Sequence, residues 1–317
     1  MKALITGVSG FVGCHLAEFL LRKKLKVAGT VLNKAEFSSS YKNQIKILEG
    51  NLLDASFIHH VIKNIKPDLI FHLASFTSPA ESFLDPTKVV LNNVHITINL
   101  LEAVKDTLRE NSKILMVGSA DEYGLVREEE NPVKENSPLR PANPYSVSKL
   151  TQDFLGLQYF LAYNLQIVRV RPGNQIGPGQ RTDFVVSSFA KQIAAAEKGK
   201  QEPVVKVGNL EAIRDFTDVR DMVQAYFLAI LKGKSGEVYN LGSGRGVKIR
   251  EVLNKLIEFS KVKVSVEQDS TKMRPVDIPK LVLDSSKFRK LTDWQPKIGI
   301  EQSLEDVLNY WRSNVKK

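Results

Sequence analysis

Residues 1–13 read Met1-Lys2-Ala3-Leu4-Ile5-Thr6-Gly7-Val8-Ser9-Gly10-Phe11-Val12-Gly13. The apolar run at residues 3–6 predicts a β-strand, and the helical spacing of apolar residues after it predicts a helix. The three glycines permit a tight turn, close approach of the backbone to a ligand, and close packing of the helix. We therefore predict a dinucleotide site, with the phosphates at the helix N-terminus. Its contact residues are Gly7, Gly10, Phe11, Val12 and Gly13.

The same alternation of strand and helix continues to about residue 171. Strand-like runs lie at residues 3–6, 27–32, 45–48, 69–73, 114–117 and 166–170, and helical patterns at 12–21, 57–65, 89–104 and 146–163. This alternation is typical of an α/β fold of the Rossmann type, a doubly wound parallel sheet that binds ligands at the carboxyl ends of its strands.

Beyond residue 171 the regular rhythm is lost, which indicates a smaller C-terminal lobe. We predict an NADP(H)-binding domain at residues 1–171 and a substrate-binding lobe at 172–317. A helix at 218–231 and a strand at 237–241 are expected there, and the strand is expected to return to the first sheet, so the boundary is not a clean linker.

Composition excludes several classes of protein. The chain has 317 residues, 43% of them hydrophobic, which is enough for a large core and excludes extended disorder. Its single cysteine, Cys14, excludes a disulfide framework and a cysteine-based zinc site, and fits a cytoplasmic protein. We predict no bound metal.

The charge pattern and the hydropathy bear on partners. The net charge is +10, but the basic residues are scattered, and the longest run, at 22–24, is interpreted as the solvated end of a helix. No apolar run approaches the roughly 20 residues that span a bilayer. Neither a nucleic acid nor a membrane is predicted as a partner.

The end of the second predicted strand bears on the choice of cofactor. An acid there would bind the adenine ribose of NAD, and residues 30–34 contain none. NADP(H) is therefore the preferred cofactor, with NAD(H) as the alternative. Asn33 and Lys34 are the candidate contacts, and Lys34 would neutralise a 2′-phosphate unless it is only a surface lysine. At the end of the third strand, Asn51 and Leu52 are expected to cover the adenine, while Asp54 would cap the next helix.

Tyr145 and Lys149 are the candidate catalytic pair. They lie four residues apart at the start of a predicted helix and so project from the same face. A phenol is a weak acid at neutral pH, and we expect the adjacent ammonium to lower the pKa of Tyr145. The alternative is an exposed helix with two amphipathic side chains, since this spacing also arises by chance. Ser119 follows the fifth strand and is placed to bind a substrate oxygen.

With the glycine turn, Ser119, Tyr145 and Lys149 resemble the pattern of the extended short-chain dehydrogenase/reductases, which modify nucleotide-linked sugars. The resemblance spans essentially the whole chain. It implies further cofactor contacts after the fourth strand and on the next helix. These are Leu73, Ala74, Ser75 and Asn93, together with Tyr145 and Lys149 themselves. Asn93 is otherwise explained as a buried polar residue near a helix terminus.

The second lobe is similar to the GDP-mannose branch of this family, and most closely to its GDP-4-keto-6-deoxy-D-mannose reductases. The segments that carry the similarity are residues 174–180, 207–216 and 274–277. The resemblance implies that Asn174, Arg214 and Arg274 hold a diphosphate and that Asp277 binds a ribose. The remaining implied substrate contacts are Ser119, Asp121, Val185, Lys191, Val207 and Asn209. The alternatives are an ion pair of Arg214 with Asp215 or Asp218, and a surface role for Arg274.

The segment after the fifth strand bears on the reaction. Dehydratases of the family place a Glu where this chain has Asp121, and a shorter side chain serves poorly as the base. The resemblance therefore implies reduction of the 4-keto group of GDP-4-keto-6-deoxy-D-mannose to GDP-D-rhamnose. The alternatives are a GDP-mannose 4,6-dehydratase, a sugar-nucleotide 4-epimerase, and an NAD(P)-sensing binding protein. The family also implies a homodimer through helices at 89–104 and 151–163. The alternative is that either helix is covered within one subunit.

Overall fold

A seven-stranded parallel sheet forms the centre of the molecule, in the strand order β10-β6-β5-β4-β1-β2-β3. The structure is a computed structural model and describes residues 1–37, 41–108, 112–273 and 275–315. The strands are β1 Lys2–Thr6, β2 Lys26–Val31, β3 Lys46–Glu49, β4 Leu69–His72, β5 Lys113–Val117, β6 Gln166–Pro172 and β10 Val238–Leu241. The predicted α/β Rossmann-type fold is confirmed.

Helices cover both faces of this sheet. They are α1 Phe11–Arg22, α2 Ala55–Ile65, α3 Pro79–Leu84, α4 Pro86–Thr107, α5 Pro144–Tyr163 and α7 Val219–Lys232. One apolar core lies between the sheet and α1 with α7, and another between the sheet and α2, α4 and α5. The inner strands β4, β5 and β6 are buried because helices cover both faces, and β3, at the edge of the sheet, is partly exposed.

The order of the strands places the ligand-binding edge. β1 lies between β2 and β4, so the direction of strand addition reverses beside β1. At such a switch point two loops diverge and leave a crevice at the carboxyl ends of the strands. The glycine turn follows β1 and the loop with Ala74 follows β4, so both border this crevice.

The C-terminal half builds a second lobe around its own core. Its elements are β7 Asn174–Ile176, α6 Val185–Glu197, β8 Val204–Val207, β9 Ile213–Asp218, β11 Gly246–Lys248, α8 Ile249–Glu258, β12 Ser265–Gln268, β13 Lys280–Leu281, α9 Ser286–Thr292 and α10 Ile300–Asn314. β9 pairs with β7, β11 and β13, while β8 pairs with β12. Side chains of α6, α8 and α10 form the core of this lobe.

The chain crosses between the two lobes more than once. β10 follows the second lobe's β9 in sequence but pairs in parallel with β6 at the edge of the central sheet. α7 packs against the same sheet, and its Val223 and Tyr226 lie in the first core. The division between residues 171 and 172 thus stays a prediction about which residues bind the cofactor and which bind the substrate. Within the described residues, no helix is long and apolar enough to cross a membrane.

Candidate active site

The glycine turn between β1 and α1 has the geometry that its three glycines predict. Gly7 has a φ of +70°, and a Cβ there would lie 3.0 Å from the Cα of Ala74. At Gly13 a Cβ would lie 2.4 Å from the carbonyl oxygen of Gly7, so only glycine lets α1 pack so closely. Gly10 is the N-cap of α1 and is exposed, with no acid in the helix's first turn. The positive end of the helix dipole therefore faces the crevice with no acid of its own helix beside it, which suits a phosphate.

The adenosine end of the crevice is bordered by the ends of β2 and β3. Val31 and Leu32 line it, and among the described residues no carboxylate does so at this end of β2. Asn33 and Lys34 lie just beyond, in an exposed turn where the Asn33 side chain accepts a hydrogen bond from the Ala35 amide at 2.9 Å. On the β3 side, the lining residues are Asn51 and Leu52.

Asp54, beside that wall, has the capping role that was expected of it. Its Oδ1 accepts from the Ser56 amide at 2.9 Å and from the Ser56 hydroxyl at 2.7 Å. These bonds lower the pKa of Asp54. The carboxylate is therefore engaged in starting α2.

The loop after β4 forms the wall opposite the glycine turn. Leu73, Ala74 and Ser75 line the crevice as predicted from the family. Asn93 is fully buried behind this wall and is not a lining residue. Its amide oxygen accepts from the Phe76 backbone at 2.8 Å, and its amide nitrogen donates to the Phe76 carbonyl and to the Ser148 hydroxyl. Asn93 therefore shapes the loop that would contact a cofactor instead of reaching the crevice itself.

Tyr145 is held at the first turn of α5. Asn143 caps this helix, since its side chain accepts from the Ser146 amide at 2.8 Å, and Pro144 occupies the first helical position. Both local signals fix where α5 begins and hence where Tyr145 projects. The side chain lines the crevice with Ser119, whose hydroxyl is hydrogen-bonded to the phenol.

The expected lowering of the pKa of Tyr145 is wrong. Burial is the main reason that its pKa is raised, and the Asp121 carboxylate raises it further. The Ser119 hydrogen bond acts in the opposite direction but is weaker. Lys149 does not supply the expected lowering because its ammonium is bonded elsewhere. Tyr145 is consequently a protonated phenol at neutral pH, the form that a proton donor requires.

Lys149 is nearly completely buried at the inner end of the crevice. Its Nζ donates to the Val117 carbonyl at 2.7 Å and to the Gln152 Oε1 at 3.1 Å. Burial lowers the pKa of Lys149 to about 8, against an opposing effect of the Glu122 carboxylate. An ammonium has three N–H donors, and within the described residues two are used. The third remains for a ligand in the crevice, which Lys149 lines.

Ser119 is positioned by a buried carboxylate. The Glu122 Oε1 accepts from the Ser119 amide at 2.8 Å, while its Oε2 accepts from the Arg171 Nε at 2.8 Å. The approach is so close that a Cβ at Gly118 would lie 2.1 Å from the same Oε1. Burial and the nearby Asp153 carboxylate raise the pKa of Glu122. No local pattern in the sequence points to Glu122, yet it orients the backbone beneath Ser119.

The second lobe closes the far end of the crevice with a cation and an acid. Arg214 and Asp277 both line it, and the Arg214 NH2 donates to the Asp277 Oδ1 at 2.8 Å. Asn209 is not a lining residue but donates to the Asp277 Oδ2 at 2.6 Å. The alternative ion pairs are wrong: Asp215 accepts from the backbone and hydroxyl of Ser243 and from the backbone of Gly244 and Leu283. Asp218 instead pairs with Arg220. Arg214 and Asp277, predicted as separate contacts for a diphosphate and a ribose, thus form one ion pair.

The other implied substrate residues divide into two groups. Asn174 and Asp121 line the crevice. Three do not: Val207 is 2% exposed within the second core, Val185 packs against that core, and the Lys191 ammonium lies 5.3 Å from the Trp311 ring centroid. The structure does not support side-chain contacts from these three to a ligand. Arg274 lies outside the described residues.

Several lining residues were not found from the sequence. Tyr226 of α7 is fully buried and accepts from the Gln175 Nε2 at 3.0 Å. Burial is the main reason that its pKa is raised, and the nearby Tyr145 adds to this effect. Its position on the buried face of a predicted helix was visible, but only the packing of α7 on the central sheet brings it to the crevice. Phe83, Gln175, Gln180, Arg181 and Phe184 also line it.

The crevice as a whole is one continuous cavity of about 560 Å³. It runs from the glycine turn past Ser119, Tyr145 and Lys149 to Arg214. A phosphate-binding helix end, a protonated phenol and a buried lysine in one cavity can bind a dinucleotide and deliver a proton to a second ligand. Fold and site together define a dinucleotide-binding enzyme of the short-chain dehydrogenase/reductase class.

Comparison with known proteins identifies the branch of that class. The family model described as GDP-mannose 4,6 dehydratase matches residues 4–307. GDP-6-deoxy-D-mannose reductase of Pseudomonas aeruginosa is 34% identical over 316 residues, which cover 100% of this chain and 99% of that protein. The chain belongs to this family of extended short-chain dehydrogenase/reductases, as the sequence motifs predicted.

Two solved structures show the same fold over the full length. The structure of RMD from Pseudomonas aeruginosa complexed with NADPH superposes with a TM-score of 0.85 at 34% identity, covering 99% of each chain. UDP-glucose 4-epimerase of Thermus thermophilus, in complex with NAD, gives a TM-score of 0.88 at 28% identity, covering 99% of this chain and 100% of that one. The two relatives hold different cofactors, so the fold alone does not select between NADP(H) and NAD(H).

Proposed function

We propose that the protein is a cytoplasmic reductase that converts GDP-4-keto-6-deoxy-D-mannose to GDP-D-rhamnose with a reduced nicotinamide cofactor. The observation that carries the proposal is the protonated, buried Tyr145 phenol beside Ser119, in the cavity that also holds the glycine turn and the Arg214–Asp277 pair. The full-length similarity to a GDP-6-deoxy-D-mannose reductase supports this choice of substrate.

The residues of this chain have separate tasks in the proposed reaction. A reduced nicotinamide, bound along the glycine turn, would supply a hydride to C4 of the keto sugar. Tyr145 donates its phenolic proton to O4, so that the ketone becomes an alcohol. Ser119 binds the same oxygen and orients it, and Lys149, whose third N–H donor remains for a ligand, would bind the nicotinamide ribose. Arg214 binds the diphosphate, and Asp277 binds the ribose hydroxyls.

The 4,6-dehydratases of the family are the competing assignment. Dehydration needs a base to remove the proton at C5, and in this cavity the Asp121 carboxylate would have to serve as that base. Asp121 is one methylene shorter than the Glu of the dehydratases, which withdraws the base from its target. A reductase needs no such base, so Asp121 is compatible with reduction.

The proposal is tested by incubating the protein with GDP-4-keto-6-deoxy-D-mannose and NADPH or NADH. We expect stoichiometric loss of reduced cofactor and a GDP-6-deoxyhexose that NMR identifies as GDP-D-rhamnose. A parallel reaction with GDP-mannose and NADP⁺ tests dehydration. Formation of the 4-keto sugar there without reduction in the first reaction would overturn the proposal. Interconversion of C4 epimers without net use of cofactor would identify an epimerase.

We propose further that NADPH is preferred over NADH. The proposal rests on the wall beside β2, where Leu32 is 72% exposed and lines the cavity in place of an acid. Lys34 follows in an exposed turn, from which it can approach a 2′-phosphate. Without a carboxylate to repel it, that phosphate is tolerated.

Leu32→Asp is expected to shift the preference toward NADH by at least about tenfold, because the carboxylate accepts ribose hydroxyl hydrogen bonds and repels a 2′-phosphate. The ratio of kcat/KM for NADPH and NADH measures the shift. Leu32→Asn is the matched control, since it has the same shape without the charge. An unmodified protein that already favours NADH by about tenfold would contradict the cofactor proposal.

Arg214→Ala is expected to weaken GDP binding by about 10- to 100-fold, because one charge-assisted contact contributes roughly 1.5–3 kcal/mol. NADPH binding should barely change, since its phosphates lie at the glycine turn. Calorimetric titration with GDP measures the effect without turnover. Arg250→Ala is the control, because Arg250 is an exposed arginine paired with Glu211. Equal GDP affinity in both variants would remove Arg214 from the binding site. The same test applies to Arg274→Ala.

We also propose a homodimer through α4 and α5. These helices pack against each other, and their outer surfaces expose apolar side chains. Val147, Phe154 and Leu161 recur every seven residues and therefore lie on one face of α5. Their exposures are 41%, 50% and 72%, and Leu91 of α4 is 62% exposed. A row of exposed apolar side chains on one helix face indicates a surface that a partner covers.

Phe154→Glu is expected to convert the dimer to a monomer, because a charge at the centre of an apolar interface is left without a partner. Sedimentation or light scattering at micromolar concentration gives the mass. Val266→Glu serves as the control, since Val266 is 45% exposed on the distant strand β12. A wild-type protein that is monomeric throughout this range would refute the homodimer.

A further inference from the structure

A chain of buried side chains connects Lys149 with the glycine turn. From Lys149 it passes through Gln152, Thr97 and His72 to Thr6, the last residue of β1. Thr97, His72, Gln152 and Thr6 are each at most 2% exposed. None of these four residues is among the predicted catalytic, cofactor or substrate contacts.

The distances close every link of this chain. Lys149 donates to the Gln152 Oε1 at 3.1 Å, and the Gln152 Nε2 donates to the Thr97 Oγ1 at 2.6 Å. The Thr97 Oγ1 lies 2.9 Å from the His72 Nε2, and the His72 Nδ1 lies 2.9 Å from the Thr6 Oγ1. Gln152 of α5, Thr97 of α4 and His72 of β4 thus link Lys149 to β1.

The direction of each hydrogen bond follows from counting protons. The single hydroxyl proton of Thr97 is donated to the Asn93 carbonyl at 2.8 Å. The Thr97 oxygen must then accept from the His72 Nε2–H, which leaves the His72 Nδ1 as the acceptor of the Thr6 hydroxyl. This requires a neutral ring, and burial together with the Lys149 charge lowers the pKa of His72 to about 3. The imidazole is therefore held in one tautomer.

The far end of the chain reaches the cofactor-binding wall. The Thr6 Oγ1 accepts from the backbone amides of Leu73 at 3.1 Å and Ala74 at 3.2 Å. Ala74 is the residue against which Gly7 packs. The position of the Lys149 ammonium is thereby tied to the loop and the turn that border the crevice.

We propose that Thr97, with His72 and Gln152, is a positioning residue that fixes the Lys149 ammonium relative to the glycine turn. The inference rests on the proposed function, because it assigns Lys149 to the reduction. Thr97 is the junction, because its oxygen accepts hydrogen bonds from both Gln152 and His72. Without it the Gln152 Nε2 keeps only its hydrogen bond to the Asn93 carbonyl, at 3.0 Å, so the carboxamide is held by one bond instead of two and its oxygen can shift relative to Lys149. A displacement of about 1 Å in a catalytic group can cost up to 100-fold in rate.

Thr97→Val removes the junction while keeping the shape of the side chain. We expect kcat with NADPH and the keto sugar to fall about 10- to 100-fold, with KM for the sugar nucleotide changed less than about threefold. Thr292→Val is the matched control, because Thr292 is also buried in a helix and donates to the carbonyl four residues earlier, Phe288, at 2.8 Å. Thr97→Ser, which restores the hydroxyl, should recover most of the activity. A Thr97→Val kcat equal to that of the Thr292 control overturns the inference.

A second measurement separates this inference from the proposed function. ¹⁵N NMR of the histidine rings should show His72 with a protonated Nε2 and a bare Nδ1 in the wild type, and should show a changed Nε2 signal in Thr97→Val but not in Thr292→Val. If the wild type fails to reduce the substrate while His72 behaves in this way, the proposed function fails and the chain of hydrogen bonds stands. A wild-type His72 protonated on Nδ1 would overturn the chain whatever the activity.

Discussion

Tyr145→Phe is expected to lower kcat for reduction by about two to four orders of magnitude, because it removes the proposed general acid and leaves the aromatic ring in place. The substitution deletes one oxygen. The capping of α5 by Asn143 and the burial of the ring do not depend on it. Binding of NADPH and of GDP should therefore stay within a few-fold of the wild type. Steady-state kinetics with calorimetry of each ligand separates the two effects.

Tyr159→Phe on the same helix is the control for Tyr145. Its hydroxyl donates to Glu102 at 2.5 Å, and it does not line the cavity. We expect little change of kcat in this variant. If Tyr145→Phe retained near-normal activity, the proton would come from another group, and Tyr226, the second buried phenol in the cavity, would be the first candidate.

Arg171→Met is expected to destabilise the fold by about 3–5 kcal/mol, the cost of leaving buried charges without their partner. Arg171 is 2% exposed and donates to Glu122 at 2.8 Å and to Asp153 at 2.6 Å. Asp153 keeps its second partner, Arg169, at 3.0 Å. Glu122 has no other arginine among the described residues, so the loss falls mainly on it. Urea denaturation at constant protein concentration gives the difference in free energy of unfolding.

The pH dependence of this loss has a definite sign. The pKa of the Glu122 carboxyl is raised in the folded protein, and removal of Arg171 raises it further. Between the unfolded and the folded pKa the folded state binds more protons, so the stability of Arg171→Met should fall as the pH rises through that interval. The variant should thus be closest to the wild type in mild acid.

Two further variants test the Arg171 interpretation. Glu122→Gln combined with Arg171→Met removes both charges and should recover part of the lost stability. Arg22→Met, at an exposed i, i+4 pair with Glu18, should leave the unfolding midpoint essentially unchanged. An Arg171→Met protein as stable as the Arg22 variant would show that the buried charges do not depend on this arginine.

The local elements of the first lobe could be predicted from the sequence because their signals are local. The predicted strand at 3–6 is β1, Lys2–Thr6, and the predicted helix at 146–163 is α5, Pro144–Tyr163. Apolar spacing, a capping asparagine and a proline at the first helical position act within one or two turns. For the same reason the sequence placed Tyr145 and Lys149 on one face of one helix.

The chemistry of that face was decided by the tertiary structure. The sequence suggested that Lys149 would lower the pKa of Tyr145, but burial raises it, and Val117 and Gln152 hold the ammonium. Lys191 stacks on Trp311, which is 120 residues away in the chain, and is therefore removed from the cavity. Arg214 pairs with Asp277, 63 residues further along the chain, because the fold brings the two side chains together.

The sequence by itself thus determined the Rossmann-type fold, the family and the position of Tyr145 and Lys149 on α5. Only the tertiary structure decided which partners each polar side chain has and how deeply each is buried. The physical reason is range: secondary structure depends on residues a few positions apart, whereas desolvation and ion pairing depend on whatever the packing brings within a few ångströms. The hydrogen-bond partners of Glu122, Thr97 and His72 lie on β6, α5 and β1, and no local pattern in the sequence predicts these contacts.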